Sequence, residues 1–139
     1  MSQIIEYSHV YKYRKVTSWP GLYPMFPVEL RYSEIEVLVD ALLDSGALYS
    51  CFDAQIATGR FGIDLSKQRR EPVIGIGSTD SVYIVQLGIK FGPLNRFVSC
   101  HVRFKENLPA NLLGRVGAFE HLQIGFDEAQ SSVYMALNP

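Results

Sequence analysis

A strong net charge is the first thing missing from this sequence. Over 139 residues, 13 Lys and Arg stand against 14 Asp and Glu, a formal charge of -1. Nucleic-acid binding needs a net basic face and several neutralised phosphates, so nucleic acid is set aside as the main partner. Two small basic clusters, Lys12 with Arg14 and Lys15, and Lys67 with Arg69 and Arg70, read as solvated loops. Cysteine is scarce as well. Cys51 and Cys100 lie far apart and in no metal-like spacing, which excludes a disulfide scaffold and leaves both thiols reduced by expectation. Cys100 alternates with Val98, Val102 and Phe104 on one strand face, the place of a small core residue rather than a reactive thiol. His9, His101 and His121 show no ligand spacing, so no metal site is expected. The serines lack a nucleophile-elbow context, so a serine hydrolase has little support. No segment reaches the ~18 to 20 apolar residues of a membrane span, and Met1 to Glu6 holds no basic region leading into an apolar run. The default expectation is a soluble, non-secreted, cytoplasmic protein with no membrane partner.

What the chain does have is material for one core. With 47% apolar and 12% aromatic residues it is one ordinary domain. Residues 1–22 mix Tyr, Lys, Ser and Val and end in the turn signal Trp19-Pro20-Gly21. They precede the recognisable domain, 23–139, as an N-terminal arm or extra edge strand, with an autoprocessed leader as a further option. From Val28 the pattern is that of strands. Val28, Leu30 and Tyr32 alternate with Glu29, Arg31 and Ser33, and Ile35, Val37 and Val39 continue the period of two after a turn near Ser33-Glu34. Ser50 followed by Asp53 suggests a cap for a short helix carrying Phe52 and Ile56 on one face and stopping at Gly59.

Beyond the second basic cluster, Val73-Ile74-Gly75-Ile76-Gly77-Ser78 and Ser81 to Val85 bracket Thr79-Asp80, a hairpin with a glycine-loosened tip. A Rossmann phosphate loop is discounted there: no third glycine follows at the required spacing, and strand-like residues rather than a helix come next. A mere tight turn is the bland alternative. Strands recur at Val85 to Phe91 and Phe97 to Phe104, separated by Gly92-Pro93-Leu94-Asn95. Val116 to Gln123 suits one helical turn or two, and Ile124 to Phe126 with Val133 to Met135 form a closing hairpin.

Between these lies Ala41-Leu42-Leu43-Asp44-Ser45-Gly46-Ala47, where a strand passes into a Ser-Gly turn carrying an acid. A carboxylate is costly to bury alone. A second carboxylate beside it lets the pair hold one proton, which is also the working part of an aspartic protease. The sequence holds a single Asp-Ser-Gly and no Asp-Thr-Gly, so the partner must come from elsewhere, and the expectation is a second copy of the chain.

The run Ala41 to Ala47, the later Ile74-Gly75-Ile76-Gly77-Ser78, and Asn111-Leu112-Leu113-Gly114-Arg115 resemble, in that order, the three marks of retropepsins, the single-domain aspartic proteases of retroviral type. The resemblance covers roughly Val28 to Phe126, and its first and last marks are the specific ones. It implies an all-β, closed, barrel-like acid-protease fold with a flap hairpin and one or two short helices, active as a homodimer without a cofactor. It further implies Asp44 as the catalytic residue, Ser45 and Gly46 as the active-site turn, and Ala47, Leu48, Ile74, Gly75, Ile76 and Gly77 as the wall and lid of an extended peptide substrate. Leu113, Gly114 and Arg115 would support the site, with the strand of Leu112-Leu113 crossing the first and its glycine leaving room beside the catalytic turn. Retroviral enzymes commonly carry an acid just after the Asp-Thr-Gly-Ala run to pair with the late arginine. Leu48 stands there in this chain, so Arg115 has no assigned partner, and Val116 occupies a place where Asp or Asn is usual. The alternatives are a non-catalytic dimerisation or peptide-binding module of the same fold, and a small monomeric β-barrel that binds a ligand.

Overall fold

The computed structural model describes residues 4–16, 18–73 and 80–139. Its frame is a closed six-stranded barrel. β4 (Met25–Tyr32) and β5 (Ile35–Leu43) form an antiparallel hairpin from Met25↔Leu42 to Tyr32↔Ile35, joined by the expected turn, in which Ser33 takes the left-handed φ of 56°. The order continues through β10 (Leu112–Leu113), β6 (Cys51–Asp53), β9 (Val98–Lys105) and β8 (Ser81–Lys90). β8 is long enough to serve three neighbours. It pairs with β9 along most of its length, its first half carries β7 (Arg69–Pro72), and its last residues meet Glu29 to Arg31 of β4 and close the barrel.

The period of two decides what lies inside. Val28 and Leu30 of β4, Val37, Ala41 and Leu43 of β5, and Val98, Cys100, Val102 and Phe104 of β9 are buried, while their sequence neighbours face out. Phe52 and Phe104, both fully buried, pack at 6.3 Å between ring centroids and fill the centre. A second, three-stranded sheet of β1 (His9–Lys12), β12 (Ser132–Leu137) and β11 (Leu122–Asp127) packs against one end. Its buried Val133, Met135 and Leu122 join the core, and Tyr11 stacks on Phe26, which in turn meets Phe91. β2 (Arg14–Lys15) and β3 (Leu22–Tyr23) make a short ribbon before β4.

Helical structure among the described residues is confined to short turns: a π-helical turn at Ile56–Arg60, and 3-10 turns at Leu65–Lys67 and Phe119–His121. None is long and apolar enough to cross a membrane. The cap expected at Ser50 is absent. Cys51–Asp53 is a strand, Phe52 belongs to the barrel core, and the helical turn begins only after Asp53, whose carboxylate accepts the N–H of Gln55 at 2.9 Å. Ser50 directly precedes that strand and is buried for another reason.

Candidate active site

Two short apolar segments run side by side at the heart of the barrel. Leu42 and Leu43 of β5 pair in parallel with Leu112 and Leu113 of β10. The ladder continues past the strand end, with Leu42 N–H donating to Asn111 O at 2.8 Å and Asp44 N–H donating to Leu113 O at 3.0 Å. The chain then turns: Ala47 N–H reaches back to Asp44 O at 3.1 Å, and Gly46 N–H donates to Asp44 Oδ1 at 2.9 Å. Asp44 is half-buried, while Ser45 and Gly46 are exposed. The Gly46 amide fixes one carboxylate oxygen, and no second carboxylate touches Asp44 among the described residues.

The outgoing loop is clamped from the β10 side. Arg115 N–H donates to Ala47 O at 2.9 Å and Val116 N–H to Leu48 O at 2.8 Å. Gly114 sits where any larger residue would collide: a Cβ there would lie 2.6 Å from the carbonyl carbon and oxygen of Tyr49 and 2.8 Å from Ala47 O. Ser50, fully buried, accepts the Gly114 N–H at 3.0 Å and donates to Val116 O at 3.3 Å, so one hydroxyl satisfies two backbone groups of the crossing segment. Asn111 braces the other side, donating to Asp40 O and accepting the Asp53 N–H.

The expected site residues therefore divide into three sets. Asp44, Ser45, Gly46, Ala47, Leu113, Gly114 and the Arg115 backbone converge on one turn. Leu48 follows it and is exposed, as is the Arg115 side chain, which has no ion pair among the described residues. Ile74, Gly75, Ile76 and Gly77 lie outside the described residues; the hairpin that leads to them is described up to Val73, whose N–H donates to Asp80 O at 2.8 Å. Two participants in the site's framework escaped the sequence reading. Ser50 bonds to a residue 64 positions away, and nothing local announces that. Arg103 stacks on Tyr49 in a pocket of about 490 Å³ beside the loop that follows Asp44, a pocket also lined by Glu71, Ile84 and Val116.

Neither thiol offers a competing nucleophile. Burial pushes both Cys51 and Cys100 up to about 11, which leaves little thiolate near neutral pH. Among the described residues no cluster of His, Cys, Asp and Glu is built to hold a metal.

No family model matches the sequence, and no curated protein matches it. Solved structures do match in shape. A retropepsin-like aspartic protease from Rickettsia conorii superposes with a TM-score of 0.57 over 81% of this chain and 89% of that one, at 17% identity. The EIAV protease complexed with the inhibitor HBY-793 is similar at a TM-score of 0.46 over 72% of this chain and 88% of that one, at 20% identity. The fold of this chain is retropepsin-like.

Proposed function

We propose that the chain is an aspartic endopeptidase that works as a homodimer, with one Asp44 from each copy. The observation that carries this is the Asp44 turn itself: a half-buried carboxylate at the end of a barrel strand, one oxygen fixed by the Gly46 amide, flanked by a parallel-paired strand that a glycine follows. One such acid is half a site. Brought together across a two-fold axis, two Asp44 carboxyls cannot both ionise, and the pair titrates as a unit that keeps one proton. The ionised oxygen takes a proton from water as the water attacks the peptide carbonyl; the protonated partner donates a hydrogen bond to that carbonyl and stabilises the developing oxyanion. No acyl-enzyme forms.

The substrate in this reading is an extended peptide, bound by strand addition between the floor at Gly46 and Ala47 and a lid that the family resemblance assigns to Ile74, Gly75, Ile76 and Gly77. Ser45 bonds across the dimer, as the family resemblance implies. Leu48 and Tyr49, both over two-fifths exposed in the single chain, give the site an apolar rim.

The test is a peptide-library cleavage assay, run with sedimentation analysis on the wild type and Asp44→Asn. The expected result is a dimeric wild type that cleaves and a dimeric variant that does not. A wild type that dimerises but cleaves nothing across the acidic to neutral range would leave a non-catalytic module of the same fold, and a stable monomer would remove the mechanism altogether.

A further inference from the structure

We propose that Arg103 is a positioning residue, a strut that ties the β7–β8 hairpin to the loop carrying Asp44. Alternation on β9 places Val98, Cys100, Val102 and Phe104 inward and Arg103 on the outer face. An outward arginine on a strand ordinarily keeps its head in water. This one is only 12% exposed. Its guanidinium carbon lies 3.5 Å from the centroid of the Tyr49 ring, its Nη2 lies 3.6 Å from Glu71 Oε2, and its Nη1 donates to His101 O at 3.1 Å. Beneath it sits Ile84, its register partner on β8, which is buried although it too points away from the barrel interior.

These contacts join segments that the backbone leaves apart. Tyr49 belongs to the loop five residues beyond Asp44, and Glu71 belongs to β7. That strand's only ladder partner among the described residues is β8, so its lean relative to the loop is set by side chains. The other cation on Glu71 is Arg69 at 3.0 Å, on the same strand, and it cannot tie β7 to anything else. Arginine suits the post because its flat head stacks on a ring and meets a carboxylate at the same time, which an ammonium group does not do. Cation–π contacts strengthen as the partners are withdrawn from water; the guanidinium here is largely withdrawn, while the Tyr49 ring keeps one face to solvent.

The strut holds the base of the hairpin, at Glu71, against the loop at Tyr49. Its part in catalysis rests on the endopeptidase reading, in which the hairpin is the lid; its part in holding β7 does not. The lid closes in both ground and transition states, so loss of the strut raises KM more than it lowers kcat.

Hydrogen exchange of the amides of Arg69, Arg70, Glu71 and Val73, measured on the full chain, tests the strut directly, because local opening of an edge hairpin controls their protection. Arg103→Gln and Glu71→Gln are each expected to speed that exchange roughly tenfold, Arg103→Lys less, since it keeps the ion pair and loses the stack. Arg69→Gln, which removes only the same-strand partner of Glu71, is expected to change it less than about twofold. In cleavage assays the first two variants raise KM roughly tenfold with kcat within about threefold. Glu71 is the more exposed partner, so Glu71→Gln carries the test if Arg103→Gln does not fold. Unchanged exchange in Glu71→Gln, or an equal effect of Arg69→Gln, overturns the strut. Faster exchange in a chain that never cleaves peptide upholds the strut and removes the endopeptidase reading, whereas cleavage with unchanged exchange does the reverse.

Discussion

Leu42-Leu43-Asp44 and Leu112-Leu113-Gly114 are the same device used twice with opposite endings. Both leucine pairs lie in one parallel ladder, and Leu43 and Leu113 are buried in the same core. At the third position the segments part. The first ends on an acid that faces a solvent-accessible turn, the second on a residue with no side chain, so close to the first segment's outgoing loop that an added Cβ would lie 2.6 Å from the Tyr49 carbonyl. The path of one ending depends on the emptiness of the other: the loop after Asp44 can lie against the segment that supports it only because Gly114 takes up no room there.

The comparison breaks most sharply at the acid. In the proposed mechanism, Asp44→Asn removes the ionisable pair, and cleavage of a peptide substrate should fall by roughly a thousandfold or more. Stability should stay within about 0.5 kcal/mol, because the half-buried side chain keeps an oxygen for the Gly46 amide. Urea titration beside the activity assay checks both, and a large loss of stability would mean that the acid is there for the fold. Gly114→Ala attacks the other ending. Its new methyl meets backbone atoms of Tyr49 and Ala47, which have nowhere to rotate, so it should cost about 2–3 kcal/mol of stability and displace the turn with it. Activity and stability should fall together here, where in Asp44→Asn they separate.

The two segments were legible in the sequence because their signals are local, whereas their meeting rested on the family resemblance alone. Alternation gave β4 and β5, the Ser-Gly turn marked the end of β5, and the repeated apolar-apolar-turn shape marked β10. What escaped is the set of contacts that join distant segments. Ser50 looked like a helix cap because its sequence neighbourhood carries no trace of Gly114, to which it bonds between neighbouring strands. Arg103 carried no signal of its own, since periodicity distinguishes two faces and says nothing about what later covers either. The pairing of β1 with β12 joins His9 to Met135 and has no local signature either.

Ser50→Ala tests the first of these long-range bonds. It leaves the Gly114 N–H buried without its acceptor and frees the Val116 carbonyl, and should cost ~1–3 kcal/mol, read as a lower urea midpoint at unchanged m-value. Cleavage should fall less than in Gly114→Ala, because nothing is pushed into the turn. If Ser50→Ala were neutral, the crossing segment would be held by its ladder alone.

The smallest expected effect sharpens the contrast between the two glycines. A methyl on Gly46 would meet a single atom, Asp44 Oδ1, at 3.1 Å. That atom ends a side chain with a rotatable bond, unlike the carbonyls that surround Gly114, and φ at Gly46 is not in the left-handed region. The backbone can therefore keep its path while the carboxylate yields by a few tenths of an ångström. Gly46→Ala should change stability by less than about 1 kcal/mol, a cost of the size that overpacking takes when a neighbour can move. The catalytic geometry has less tolerance, because a carboxylate turned away from the shared proton loses both its partner and its aim at the water; roughly tenfold slower cleavage is expected, expressed in kcat. Destabilisation as large as that of Gly114→Ala would show that the acid's position is fixed as firmly as the backbone beneath it, and would make the two endings mechanically equivalent.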